Sequence, residues 1–324
     1  MPVLASVFST AKSQDKLARN QDVYLPRSTK DVRLAQYAAT SAGMRTVCGN
    51  PKCSKGWISF LKDRRRPMFE GRWSCTAECT EVLVDAAIRR ELIEPDIAGN
   101  GGEHQHRVPL GLILLSQGRI TQPQLQHALH MQRSAGTGRI GQWLIGECGL
   151  DEEHVTHGLG VQWRCPVLSA EGFNPAAMSL VIPKVLVENV GMVPLRIAGG
   201  RILYLGFESQ LDAAAAFAMK RMSGLTVESG LLDPTTLRAA RETLSKCDFV
   251  ACTFERVVSV ETLSSKVAFA LSETQPRASR LVRVHQFYWL RMWLERGAMS
   301  SEYGSIPATK EDVMDRVYSL GTGQ

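Results

Sequence analysis

The amino-acid sequence predicts an α+β protein built from several small domains. Three features support this prediction: two close pairs of cysteines near the N-terminus, a 24-residue pattern that occurs twice, and a later alternation of strand-like and helix-like segments. The 324 residues are 44% hydrophobic, which is enough to form packed cores in about two or three domains. No apolar run is long enough to span a bilayer, so we expect no membrane insertion.

Two segments are predicted to lie outside the folded domains. Residues 1–45 are polar and lack a steady hydrophobic periodicity, which is typical of a flexible N-terminal segment. Residues 96–106 are rich in glycine and polar residues and predict a linker. A small folded domain is therefore expected over residues 46–95.

Four cysteines lie in this small domain, in two close pairs. Four residues separate Cys48 from Cys53, three separate Cys75 from Cys79, and about twenty lie between the pairs. The sequence has no secretory segment, so we expect a cytoplasmic location, where thiolates at this spacing indicate tetrahedral Zn²⁺ rather than disulfides. The arrangement resembles a treble-clef or FCS-like zinc finger. The alternative is four reduced, half-buried cysteines.

The predicted finger is also rich in basic and aromatic residues. They are Lys52, Lys55, Lys62, Arg64, Arg65, Arg66 and Arg72, with Trp57, Phe60, Phe69 and Trp73 between them. Basic side chains neutralise phosphates and aromatic rings stack on bases, so nucleic-acid binding is one interpretation. We favour the other, in which a solvated charged loop surrounds a small metal-held core.

Residues Pro109–Gln132 and Arg139–Gln162 follow one pattern, offset by thirty residues. Apolar residues, a glycine and a final glutamine recur at equivalent positions, and Thr121 and Asp151 each stand where a second helix needs an N-cap. Each copy therefore predicts a short helical hairpin whose apolar ledge is bordered by one glutamine amide. Such a tandem repeat implies a shared core or a shared ligand. The alternative is that the ledge residues are simply hairpin core.

The repeated pattern suits a ligand with two flat, equivalent halves. Aliphatic side chains can pack on a purine, while an amide and a guanidinium bind its edge and a nearby phosphate. The pattern resembles the tandem cyclic di-GMP-binding motifs in the N-terminal domain of type II secretion and type IV pilus assembly ATPases, the MshEN or GspE N-terminal domain. The resemblance implies one cyclic di-GMP molecule spread over both motifs. The implied ligand residues are Leu110, Gly111, Leu114, Gly118, Leu125, Leu129, Gln132, Arg139, Ile140, Gly141, Leu144, Val155, Leu159 and Gln162.

Two positions depart from the family pattern. Pro109 stands where the arginine of the first motif would be, whereas Arg139 occupies that place in the second motif. Cys148 stands where the internal glycine of the second motif would be, and Gly149 follows one place later. The first half-site has thus lost a charged contact with a phosphate or a guanine, unless the neighbouring Arg107 reaches in.

Residues 166–246 predict a sandwich-like α/β domain. The predicted elements are a strand at 192–197, a turn at Gly199 and Gly200, a strand at 202–207, a helix at 211–222, a strand at 226–229 and a helix at 234–244. This order resembles the second half of the same ATPase N-terminal domain. The family's usual Asp-Pro before the 211–222 helix is replaced by Glu208-Ser209-Gln210, and the sequence alone assigns no function to this change.

Residues 247–324 predict a small αββ segment followed by a tail. A helix precedes a β-hairpin that turns near residues 286–288, and a further helix is predicted at 310–320. The segment faintly resembles the αββ domain between receptor and motor in those ATPases. Phe287, Tyr288, Trp289 and Trp293 predict core packing, with an exposed partner surface as the alternative.

The sequence carries no recognisable catalytic machinery. The G-x-x-x-x-G-K-[ST] phosphate loop does not occur, and the histidines are not accompanied by a nucleophile or paired carboxylates. The sequence therefore predicts a non-enzymatic cyclic di-GMP receptor or adaptor with a zinc finger, which passes ligand occupancy to a protein partner of a secretion or pilus machine. The alternative is a ligand-free protein-interaction or nucleic-acid-binding adaptor that acts through the finger.

Overall fold

The computed structural model describes residues 48–53, 67–99, 107–294 and 306–321. Within these ranges the chain forms helices and three small β-sheets, which confirms the predicted α+β multidomain class. The predicted flexible segment, 1–45, and residues 54–66 of the predicted finger lie outside the described residues. Of the helices that the structure describes, none combines the length and the apolar character needed to cross a bilayer.

The cysteine-rich region forms a two-stranded hairpin and a long helix. Strands β1 (Met68–Phe69) and β2 (Arg72–Trp73) pair antiparallel around Glu70 and Gly71, whose φ angles are 47° and 76°. Helix α1 (Ala77–Gly99) follows this hairpin. The predicted linker, 96–106, therefore begins inside a helix, and residues 100–106 lie outside the described part of the chain.

The tandem motif forms four helices around one hydrophobic core. They are α2 (Leu110–Ser116), α3 (Gln122–Ala135), α4 (Ile140–Cys148) and α5 (Glu152–Trp163). Thr121 caps α3 as predicted, because its side chain accepts a hydrogen bond from the backbone of Gln124, whereas Asp151 begins α5 without a side-chain cap. The first helix of each copy packs mainly on the second helix of the other copy, so the two copies are interlocked.

The α/β half begins with two short helices, α6 (Pro175–Met178) and α7 (Lys184–Val190). The elements after them follow the predicted order, and they are β3 (Val193–Ala198), β4 (Ile202–Phe207), α8 (Ala213–Ser223), β5 (Thr226–Leu231) and α9 (Pro234–Ser245). Strand β3 is antiparallel to β4, and β4 is parallel to β5. Gly199 and Gly200, with φ angles of 55° and 67°, form the predicted turn between the first two strands.

The C-terminal region forms a four-stranded sheet in the order β6-β9-β8-β7. Its elements are β6 (Cys252–Val257), α10 (Val260–Thr274), β7 (Ala278–Val284), β8 (Phe287–Trp293) and β9 (Val313–Leu320). The predicted helix at 310–320 is wrong, because only residues 310–312 form a short 3-10 helix before β9. Strand β9 is held in place by Asp315, which is fully buried and accepts hydrogen bonds from Arg291 Nε at 2.8 Å and Nη2 at 2.7 Å on β8.

Strand β8 of this sheet is buried on both faces and joins the α/β half to a core that contains α1. One face contributes Trp289 and Trp293 to the core of the α/β half. The other face contributes Tyr288 and Leu290 to a core formed with α1 and α10. All three aromatic residues have no exposed surface, and Phe287 is 5% exposed, which confirms that the hairpin aromatics are core. Helix α1 of the cysteine-rich region is therefore part of a larger core.

Candidate functional site

A groove of about 400 Å³ lies between the second copy of the motif and the α/β half. One wall is formed by α4 and α5, and the other by the turn after β4 and the first residue of α9. The predicted ligand residues that line it are Leu110, Arg139, Ile140, Gly141, Val155, Leu159 and Gln162. The lining residues that sequence analysis missed are Gln142, Ile145, Glu152, Thr156, Trp163, Glu208, Ser209, Gln210 and Pro234.

Arg139 spans this groove. It is the N-cap of α4, with an extended backbone, and its Nη1 donates a hydrogen bond to Ser209 Oγ at 2.5 Å. Ser209 belongs to the three-residue turn that replaces the family's Asp-Pro, so this departure lies at the groove. This departure was the only feature of the sequence that marked residues 208–210 as part of the site. The contact between Ser209 and Arg139 could not be predicted, because it depends on how the tandem motif packs against the α/β half. A hydroxyl is neutral, so this contact leaves the positive charge of the guanidinium uncompensated.

The two terminal glutamines make equivalent contacts across the repeat. Gln132 Nε2 donates a hydrogen bond to Gly138 O at 2.8 Å, and Gln162 Nε2 donates one to Val108 O, also at 2.8 Å. Each carbonyl belongs to the residue just before a motif begins, so the last residue of each motif is hydrogen-bonded to the start of the other motif. Gln162 lines the groove, whereas Gln132 is not among its lining residues. Ligand recognition by these amides stays a prediction.

Six further predicted ligand residues do not line the groove. They are Gly111, Leu114, Gly118, Leu125, Leu129 and Leu144. Leu114 and Leu144 have no exposed surface and belong to the core that the two copies share. Gly111 allows α2 and α3 to approach closely, because a Cβ at this position would lie 2.5 Å from Leu125 Cδ1. Several of these residues support the groove from the core, and direct ligand contact by them stays a prediction.

Two carboxylates also line the groove. Glu152 Oε2 accepts hydrogen bonds from Thr235 N at 3.2 Å and from Thr235 Oγ1 at 2.7 Å, which ties α5 to the start of α9. Glu208 is exposed on the opposite wall. An ionised carboxylate only accepts hydrogen bonds, so it suits the N–H edge of a base and repels a phosphate. The groove thus combines a guanidinium for an anion with carboxylates for N–H donors.

The four predicted zinc ligands lie together. The sulfur atoms of Cys48, Cys53, Cys75 and Cys79 are all within 4.8 Å of one another. The distance from Cys53 Sγ to Cys75 Sγ is 3.4 Å, and that from Cys75 Sγ to Cys79 Sγ is 3.7 Å. Four thiolates at about 2.3 Å from a tetrahedral zinc ion lie roughly 3.8 Å apart, whereas a disulfide needs about 2.05 Å. The arrangement therefore fits a metal ion and not a pair of disulfides.

The surroundings of the cysteines also suit a cation. Burial alone would raise the pKa of Cys79, but hydrogen bonds, first that from Asn50, lower it to about 7. Asn50 Nδ2 donates to Cys79 Sγ at 3.2 Å. Burial raises the pKa of Cys75 to about 12, so without a metal its sulfur is protonated. Four sulfur atoms this close together can all be anionic only around a positive ion. Four thiolates are a donor set that Zn²⁺ prefers.

The aromatic residues of the finger that the structure describes are core residues. Phe69 is 3% and Trp73 is 8% exposed, so neither ring is free to stack on a base. Lys52 and Arg72 are exposed. The other basic and aromatic residues of the predicted nucleic-acid surface, from Lys55 to Arg66, lie outside the described residues.

No protein-family model matches this chain, and no curated protein matches it. Among solved structures, the chain is similar to the structure of MshE with cdg, at 23% sequence identity. The match covers 43% of this chain and 99% of that chain, with a TM-score of 0.35. It is also similar to two crystal forms of the N-terminal domain of XpsE, both at 18% identity. The first covers 41% of this chain and 91% of that chain, with a TM-score of 0.30. The second covers 40% and 89%, with a TM-score of 0.25.

Proposed function

We propose that this protein is a non-enzymatic cytoplasmic receptor that binds cyclic di-GMP in the groove between the tandem motif and the α/β half. The observation that carries the proposal is the position of Arg139. Its guanidinium crosses a groove whose walls include Ile140, Val155 and Leu159, and its described hydrogen bond goes to the neutral hydroxyl of Ser209. The motif resemblance described above supports the choice of ligand.

The chemistry of the groove matches the parts of a guanine nucleotide. The aliphatic side chains of Ile140 and Leu159 are half-buried, so a flat base can remove their remaining surface from water. Arg139 can bind a phosphate with parallel N–H donors. The N–H groups on the edge of guanine suit Glu152 or Glu208.

The four-cysteine cluster has a structural role in this proposal. Cys48, Cys53, Cys75 and Cys79 would hold Zn²⁺, which supplies a cross-link between residues that are distant in the sequence. The cluster lies at the N-terminal end of α1, whose Leu83, Val84 and Ile88 pack in the core beneath the C-terminal sheet. The metal would thus stabilise one edge of the folded unit.

Ligand occupancy would reach a protein partner through a shift in conformational populations. The groove is made from two parts of the fold, so a bound ligand favours the arrangement in which both walls touch it. A partner that binds this arrangement better is recruited by the ligand, with a coupling free energy that is reciprocal between the two. We propose that the partner belongs to a secretion or pilus assembly machine.

Isothermal titration calorimetry with cyclic di-GMP tests the proposal. We expect saturable binding by the wild type and binding roughly 10- to 100-fold weaker by Arg139→Ala, because one or more charge-assisted hydrogen bonds are lost. Arg133→Ala is the matched control, since Arg133 is an exposed arginine on α3 that does not line the groove. Absence of binding by the wild type at about millimolar ligand, or equal affinity of the two variants, contradicts the proposal.

A further inference from the structure

Arg107 lies beside the groove and stacks on one of its wall residues. The guanidinium carbon of Arg107 is 3.6 Å from the centroid of the Trp163 ring, and Trp163 lines the groove. Arg107 itself is exposed. The short distance and the aromatic partner are those of a cation–π contact, which holds the guanidinium against the indole.

The backbone next to Arg107 is fixed to the same helix end. Gln162 precedes Trp163 on α5, and its Nε2 donates a hydrogen bond to Val108 O at 2.8 Å. Val108 follows Arg107 directly, so the backbone and the side chain are both held at the end of α5. The position of Arg107 is thus set by two contacts with residues that line the groove.

The stacked arrangement leaves the guanidinium able to bind an anion. A guanidinium that lies flat on an aromatic ring uses its face for the ring, while its N–H donors point outward in its own plane. Those in-plane donors are the ones that bind phosphate or carboxylate. Trp163 therefore orients Arg107 without consuming its hydrogen-bonding capacity.

The groove also needs a second positive charge. A cyclic dinucleotide carries two phosphates, Arg139 supplies one guanidinium, and the equivalent position in the first motif is Pro109. The carboxylates of Glu152 and Glu208 add negative charge to the same groove. We propose that Arg107, oriented by Trp163, replaces the missing arginine of the first motif and binds the second phosphate. This inference rests on the proposed function.

The test compares two substitutions of Arg107 by calorimetry with cyclic di-GMP. Arg107→Gln removes the charge and keeps a polar side chain, so we expect about 10-fold weaker binding. Arg107→Lys keeps the charge but loses the planar guanidinium that lies on Trp163, so we expect binding about 3-fold weaker than in the wild type, a smaller loss than in Arg107→Gln. Thermal unfolding of both variants should stay close to that of the wild type, because the side chain is exposed and a cation–π contact at the surface contributes little stability. Wild-type affinity of Arg107→Gln, or equal weakening by both substitutions, overturns the inference.

A second ligand, GMP, separates this phosphate from the one at Arg139. GMP has one phosphate, so we expect Arg139→Ala to weaken its binding and Arg107→Gln to leave it within about 2-fold of the wild type. Equal weakening of GMP binding by both variants would place both arginines on one phosphate and overturn the inference. If Arg107→Gln behaves as the wild type while Arg139→Ala loses cyclic di-GMP, this inference fails and the proposed function stands. If the wild type binds neither ligand, both fail.

Discussion

Glu91 gives the sharpest test of how the cysteine-rich region is joined to the rest of the protein. It lies on α1, is 1% exposed, and its carboxylate accepts hydrogen bonds from three residues on three helices or strands. Arg221 Nη1 on α8 is 2.5 Å from Oε1, Arg90 Nη2 is 3.1 Å from the same oxygen, and the backbone N of Arg283 on β7 is 3.0 Å from Oε2. This residue thus connects α1 to both the α/β half and the C-terminal sheet.

The expected loss on Glu91→Ala follows from these contacts. Removing one partner from a buried ion pair costs about 3 to 5 kcal/mol. Arg221 and the backbone N of Arg283 lose this acceptor, whereas Arg90 keeps its hydrogen bonds to Glu70. Burial raises the pKa of Glu91 above its ordinary value, although Arg221 and Arg90 act to lower it. The carboxylate is therefore incompletely compensated, and the neutral isostere in Glu91→Gln should cost only about 1 to 2 kcal/mol.

Urea unfolding followed by tryptophan fluorescence measures these losses, because the buried Trp289 and Trp293 report on the C-terminal sheet. The control is Glu81→Ala on the same helix, where an exposed carboxylate accepts one hydrogen bond from Ser265 Oγ at 2.8 Å. We expect this control to lose less than about 1 kcal/mol. A free energy of unfolding for Glu91→Ala within about 1 kcal/mol of the wild type would refute the reasoning.

Two further predictions concern the metal and the pH dependence. Cys75→Ser should lower the amount of bound zinc, measured by atomic emission. The control is Cys252→Ser, whose cysteine lies outside the cluster and which should keep the zinc content of the wild type. Unchanged zinc in Cys75→Ser would show that Cys75 is not a ligand. His285 Nε2 is 2.5 Å from Asp212 Oδ2, and this bond raises the pKa of His285. Burial alone would raise the pKa of Asp212, but the bond from His285 lowers it. The ion pair therefore stabilises the folded state above about pH 4. This stabilisation is lost as the pH rises above about 6.5 and through the raised pKa of His285. Asp212→Asn keeps the N-cap of α8 and removes only the charge. In urea unfolding, the free energy of unfolding of the wild type should exceed that of this variant by up to about 1 kcal/mol near pH 5.5 and should equal it near pH 8.5. A difference independent of pH would contradict the assignment.

Local patterns in the sequence were enough to predict several elements. The α/β half was predicted because its signals are short-range: a Gly199-Gly200 turn, alternating apolar strands, and a proline after Asp233 at the start of α9. The interlocked contacts of the tandem motif could not be predicted. The bonds from Gln132 to Gly138 and from Gln162 to Val108 depend on which helices pair in space.

The strand at Val313–Leu320 shows why a local pattern was insufficient there. A segment with both apolar and polar residues fits a helix or a strand, and the neighbours decide between them. Strand β9 pairs with β6 on one side and β8 on the other, and its buried Asp315 meets Arg291. Neither β6 nor this ion pair is close in the sequence.

The sequence by itself determined the repeat, the spacing of the four cysteines and the order of most helices and strands, since caps, turns and hydrophobic periodicity act over a few residues. Only the tertiary structure decided that Ser209 meets Arg139 across a groove, that Arg107 lies on Trp163, and that α1 is fastened through Glu91. These contacts join residues far apart along the chain. Their formation depends on the packing of whole elements, which no local pattern encodes.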